Sequence, residues 1–170
     1  MANSNTKKIV WTALFMALTT VATMVVRVPS PTGGYLNAGD ALVILSACFL
    51  GPFWGAAAAG VGSALADLIS GYAVYVPATL IIKALMALAA GFILRRAADK
   101  SPLLHAAFGS IVAEIIMIGG YFAFTAIFLS FGWGAVSEIP GNCVQGAFGA
   151  IVGTALFMAL RKIPNAQNNF

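Results

Sequence analysis

The chain alternates between long apolar runs and short polar breaks. The apolar runs cover about 9–26, 40–50, 53–70, 77–94, 104–131 and 138–160. Most approach the roughly 20 residues that a helix needs to cross the hydrocarbon of a bilayer. The first break, RVPSPTGGYLNAG from Arg27 to Gly39, holds two prolines and three glycines and cannot continue a helix. Gly51-Pro52 ends the second run, and GYAVYVP separates the third from the fourth. Pro77 suits the start of a helix, and the two tyrosines beside it suit a membrane interface. RRAADKSP and GWGAVS supply the last two breaks, and the polar tail RKIPNAQNNF is expected to fray. No internal repeat is visible. The pattern predicts one all-α integral membrane domain over residues 1–170, a bundle of six transmembrane helices. The second run is short for a full span. A tilted helix packed inside the protein, or half of a re-entrant hairpin, would both explain it.

Composition sharpens this picture. The 170 residues are 61% hydrophobic and 8% charged, where a soluble domain carries about 25% charged residues. The mean hydropathy is +0.94. Six spans and their loops fill such a chain and leave little room for a soluble catalytic domain. The net charge of +4 does not read as nucleic-acid binding, because the basic residues sit at the ends of apolar runs. Lys7 and Lys8 precede the first run. Arg95, Arg96 and Lys100 lie between the fourth and fifth, and Arg161 and Lys162 follow the sixth. With six spans these positions share one side, which the positive-inside rule makes cytoplasmic. Both termini are therefore expected in the cytoplasm, and Arg27 alone marks the outer loops. The first run is longer than a signal-peptide core and lacks an A-x-A site, so an uncleaved helix is the expectation. Cys48 and Cys143 lie inside apolar runs and read as packing residues rather than as a disulfide or metal pair.

Ionisable groups inside spans cost roughly 2.5–3.5 kcal/mol each on insertion scales and need a reason. Asp67, Lys83, Glu114 and Glu138 are such groups, with Asp40 at the mouth of the second run. All fall at mid-membrane or in the outer half. Lys83, six residues past Pro77, sits roughly 9 Å deep at 1.5 Å per residue. Helical phase gathers further polar residues beside them. Ser110, Glu114, Tyr121 and Thr125 form one stripe. Glu138, Asn142 and Gln145 form another. Thr79 joins Lys83, and Ser63 and Ser70 join Asp67. Four stripes facing one another would line a cavity in the outer half. The plainer alternative for Asp67 and Lys83 is a mutual pair that holds their helices together. Tyr35, Tyr72, Tyr75 and Trp133 read either as interface anchors or as a stacking lid. The runs of small residues from Gly51 to Ala64, and Gly149 with Gly153, predict close helix packing.

The absences also constrain function. There is no P-loop, no H-E-x-x-H and no G-x-S-x-G. His105 is the single histidine and reads as structural. No nucleophile, base and orienting group come together, so no catalytic residue, no metal site and no cofactor in this chain are expected.

Two motifs carry a family resemblance. One is Ala13-Leu-Phe-Met-Ala17 in the first run. The other is LADLISGYAVYVPATLIIKALMALAAG from Leu65 to Gly91, with D-L-x-S-G-Y and P-x-T-x-x-x-K between Asp67 and Lys83. The chain resembles, over nearly its whole length, the S component of an energy-coupling factor (ECF) transporter. The second motif looks most like the riboflavin/pyridoxine/hydroxymethylpyrimidine-type branch. The resemblance implies a high-affinity binding subunit for a vitamin or vitamin precursor in the cell membrane. It implies a structured first outer loop that closes over the substrate and a pocket lined by the fourth to sixth helices. It implies docking through Ala13 and Ala17 on a transmembrane coupling subunit, and two ATPase subunits that use the ATP. By position the pocket would draw on Asn37, Lys83, Glu114, Tyr121, Asn142 and Gln145, and Asp67 and Glu138 join them from the polar stripes. The acidic balance of the outer half argues for a neutral or cationic heteroaromatic, pyridoxine-like or hydroxymethylpyrimidine-like; riboflavin is neutral and fits too. Anionic pantothenate or folate would have to rely on Lys83 or Arg27. The competing reading is a self-sufficient ion-coupled carrier, with Glu114 as a proton site.

Overall fold

The computed structural model describes residues 4–96 and 101–162. Lys100 and the polar tail beyond Lys162 lie outside them. The chain runs α1 (Ser4–Val25), β1 (Arg27–Pro29), β2 (Tyr35–Asn37), α2 (Asp40–Ile69), α3 (Val76–Arg95) and α4 (Pro102–Ala123). A π-helical turn (Phe124–Phe128) and a 3-10 segment (Gly132–Glu138) lead into α5 (Ile139–Leu160). Five helices are long and apolar enough to cross a membrane, α4 extending through its π turn and α5 taking in the 3-10 segment.

The runs at 40–50 and 53–70, expected as two spans, form one element, α2. It is sharply bent at Gly51, whose φ of 77° and ψ of −177° are not helical. Pro52 follows and cannot donate the hydrogen bond that would carry the helix straight on. The bend folds the element back on itself. A side chain at Gly55 would meet the Ala47 backbone at 2.7 Å, although eight residues of straight helix would separate them by roughly 12 Å. Ser46 also donates to the Gly55 carbonyl at 3.3 Å.

Small residues close the other helix contacts. A side chain at Gly62 would meet the Met16 carbonyl on α1 at 2.6 Å, and one at Gly60 the Leu80 carbonyl on α3 at 2.8 Å. Thr20 on α1 adds a 2.8 Å bond to the Gly62 carbonyl. Apolar helices gain little from burial in lipid, so close backbone approach has to supply the attraction. Two apolar clusters result. One, around Met86, Ala113 and Met117, joins α2, α3 and α4. The other gathers Phe15, Leu50, Ala106 and Phe157, with Trp11 and Leu94 against it. That second cluster brings together the start of α1, the bend of α2, the end of α3, the start of α4 and the end of α5.

The first break is not irregular. Its two short strands pair antiparallel, Arg27 with Asn37, Val28 with Leu36 and Pro29 with Tyr35. A turn closed by the Ser30 amide donating to the Gly34 carbonyl at 2.9 Å joins them.

Candidate functional site

The β-ribbon lies against the end of the bundle where α2 starts and finishes. Between them is a cavity of about 430 Å³, counted to its mouth. The ribbon contributes Ser30, Gly34, Tyr35 and Asn37 to its wall. Asp67 of α2, Thr79 of α3 and Tyr121 of α4 line it as well, with Tyr75 just before α3. Glu138, Asn142 and Gln145 come from the 3-10 segment and α5. Proline near the start of α3 and of α5 fixes where each helix begins, and so which turn of each meets the cavity.

Six residues expected at a site from sequence, Asn37, Asp67, Tyr121, Glu138, Asn142 and Gln145, thus share one wall. Two others, Lys83 and Glu114, do not line it. Lys83 is one helical turn deeper than Thr79, and Glu114 is two turns deeper than Tyr121. Lys83 is buried and forms an ion pair with the buried Asp40 at the start of α2. The alternative pairing of Lys83 with Asp67 is not the one formed. Asp67 instead accepts a 2.5 Å hydrogen bond from the Tyr35 hydroxyl on the ribbon.

A polar chain connects this ion pair to the ribbon. The second oxygen of Asp40 accepts from the Gln145 amide nitrogen at 2.6 Å. The Gln145 carbonyl oxygen accepts the backbone N–H of Asn37 at 2.8 Å. The Asn37 side chain in turn accepts the Gly39 N–H at 2.9 Å, at the entry to α2. The Lys83 ammonium lies 5.4 Å from the centre of the Tyr121 ring, whose hydroxyl meets Thr79 at 3.0 Å. Glu114 packs against the glycine face of α5, where side chains at Gly146 and Gly149 would run into its carboxyl oxygens. Those oxygens are buried without a hydrogen-bond partner among the described residues.

Aromatic rings form the rim. Tyr35 and Tyr72 lie 4.5 Å apart, and Tyr72 and Tyr75 6.5 Å apart. Tyr75 is buried and donates to the Thr32 carbonyl at 3.3 Å, so it braces the ribbon and is no exposed anchor. Burial, reinforced by the Asp67 carboxyl, pushes the Tyr35 phenol well above its ordinary range, and it stays a donor. Trp133 is 86% exposed and takes no part in the rim. Among the described residues the cavity wall carries two carboxyl groups and no cation. Lys83 is engaged by Asp40, and Arg27 is exposed on the outer strand of the ribbon.

Sequence reasoning missed Ser30 and Gly34, because residues in a Pro- and Gly-rich break have no helical phase to place them. It placed Asp40 at the mouth of a helix without naming its partner. Ser110, expected in the same stripe as Tyr121, bonds Thr154 deeper in the bundle at 3.0 Å. Ala13 and Ala17 are exposed on α1.

Residues 3–162 match the family described as ECF-type riboflavin transporter, S component. The chain belongs to this family. It is therefore a multi-pass integral protein of the cell membrane, in a class of transporter subunits rather than of enzymes. A relative from Pyrococcus woesei, described as an uncharacterized protein in the gap 3′ region, is 38% identical over 144 residues. The match takes in 84% of this chain and 94% of that protein.

Proposed function

We propose that this chain is the high-affinity, membrane-embedded binding subunit of a vitamin-uptake system. Its ligand is a neutral or cationic heteroaromatic, pyridoxine-like or hydroxymethylpyrimidine-like, bound in the cavity under the β-ribbon. The observation that carries this is the wall itself: aromatic rings and amides, with two carboxyl groups and no cation among the described residues. Desolvating an anionic ligand there would leave its charge unpaired. The Asn142 side chain lines the cavity with no hydrogen bond among the described residues and is open to a ring nitrogen or a hydroxymethyl group. Riboflavin is the second reading, favoured by the family's description.

In this reading Asn37, Asp67, Tyr121, Glu138, Asn142 and Gln145 meet the ligand. Lys83 and Glu114 hold the floor through Asp40 and the glycine face of α5. The chain is one domain, and the fold-back at Gly51 supports counting six spans with both termini in the cytoplasm. Family membership supports a coupling subunit and two ATPase subunits as partners, docked through Ala13 and Ala17. They would use the ATP, and this chain needs no cofactor of its own.

The test is mass spectrometry of small molecules extracted from the detergent-purified chain, then equilibrium binding to pyridoxine, hydroxymethylpyrimidine, riboflavin and pantothenate. We expect one heteroaromatic at near one-to-one level and pantothenate at least about 100-fold weaker, as for a charge buried without a partner. Asn142→Leu should weaken binding about tenfold, the worth of one hydrogen bond in a dry site. Tight pantothenate binding would overturn the charge argument. An empty chain that binds none of the four tightly returns weight to an ion-coupled carrier, with Glu114 as the group to titrate.

A further inference from the structure

A second cavity opens at the opposite end of the bundle from the β-ribbon. It measures about 830 Å³ to its mouth. Its wall is the bend of α2 from Ala47 to Trp54, the last turn of α3 and the first turns of α1. Two cations, Lys8 and Arg95, line it, and no carboxylate does so among the described residues. Neither cation has an ion-pair partner among the described residues. The Arg95 guanidinium lies over Gly51, in the space that any side chain there would fill. The limb of α2 that begins at Pro52 presents its N-terminal residues Phe53 and Trp54 to the same space, and a helix start favours negative charge.

The rest of the wall is apolar and open to lipid. Phe53 is 68% exposed and meets Phe92 edge-on at 5.6 Å. Trp54 is partly exposed beside it, and tryptophan favours the boundary between headgroups and acyl chains. A site with two unpaired cations at its head and exposed aromatic rings below matches one chemistry: a phosphate attached to acyl chains. We propose that this cavity binds the phosphate headgroup of an anionic phospholipid between Lys8 and Arg95, with the acyl chains passing Trp54, Phe53 and Phe92. The bound lipid bridges α1 and α3 across the α2 bend, where the three elements otherwise meet over a void.

The test uses the full chain in nanodiscs made of phosphatidylcholine with a minor fraction of phosphatidylglycerol, followed by native mass spectrometry of retained lipid. We expect one phosphatidylglycerol retained per chain, enriched about 25-fold over its share of the bilayer. Each cation near a charged headgroup contributes about fivefold. Lys8→Gln alone should therefore lower retention about fivefold, and Lys8→Gln with Arg95→Gln about 25-fold. Arg161→Gln with Lys162→Gln removes equal charge outside the cavity and should leave retention unchanged. Lys8 is only half-buried, clear of the bend, so its variant reads the site even where the Arg95 variant unfolds. Equal loss in the Arg161 and Lys162 variant, or no enrichment in the parent chain, would reduce the effect to general surface charge and sink the proposal. Displacement of the lipid by millimolar inorganic phosphate would assign the site to free phosphate and sink it as well.

Discussion

Lys83 and Asp40 lie at the centre of the residue-scale problem. Each is about 1% exposed, and each would be expensive without the other. Removing one member of such a pair leaves a buried charge alone, at a cost of about 3–5 kcal/mol. Lys83→Ala should therefore act first on stability, with a large fall in the detergent unfolding midpoint and ligand loss as a consequence. Lys83→Met with Asp40→Asn, which removes both charges at similar volume, should recover most of that stability. Equal midpoints for Lys83→Ala and the parent chain would show that the pair holds nothing together. Helical phase put Lys83, Glu114 and Asp67 on inward faces, and all three are buried, because a 100° step needs only the sequence. It could not select partners. Which of two carboxylates meets Lys83 depends on how α2, α3 and α5 are rotated against one another, and Gln145 helps to set that by reaching Asp40 from α5.

At the scale of elements, Gly51 decides more than its size promises. Its φ of 77° with ψ of −177° falls where glycine is essentially alone. Gly71 also has positive φ, at 85°, but a side chain there would meet nothing within 4 Å. Gly51→Ala should cost about 1–3 kcal/mol from backbone strain, plus the displacement of Arg95. A chain of this size loses about 2–4 °C of midpoint per kcal/mol, so Gly51→Ala should melt several degrees below the parent chain, and below Gly71→Ala by the share due to Arg95. Indistinguishable midpoints would mean that the bend adapts and that Arg95 is not seated on it. Pro52 made a break at this place legible in the sequence. So was a reversal, since successive spans or a re-entrant hairpin both turn back there; that it takes no loop was not, because Gly-Pro is as compatible with a loop as with a tight reversal. The β-ribbon was hidden for a related reason: its strands are three residues each, too short to show alternation. The small-residue runs of α2 were legible, since close packing leaves its mark on side-chain size wherever lipid is the solvent.

In the proposed reading the whole molecule separates two tasks in space. The cavity-lining polar groups gather under the β-ribbon at one end. Along its side, α1 offers an apolar face on which Ala13, Leu14, Ala17, Leu18 and Val21 are exposed. Only 22% of the most apolar stretch of α1 is buried within the chain, as in α4, against 61% of that in α2. A helix this bare belongs either to lipid or to a partner, and small residues four apart are what a partner helix needs for close approach. Ala13→Trp with Ala17→Trp fills that face with bulk while touching nothing at the cavity. Expected is unchanged ligand affinity in the purified chain, together with loss of uptake and of co-purification when coupling and ATPase subunits are present. Weakened affinity would instead make α1 part of the pocket's support, acting through Thr20 and the Gly62 carbonyl. Normal uptake would move the docking surface elsewhere, since two indole rings leave no room for a helix at this one.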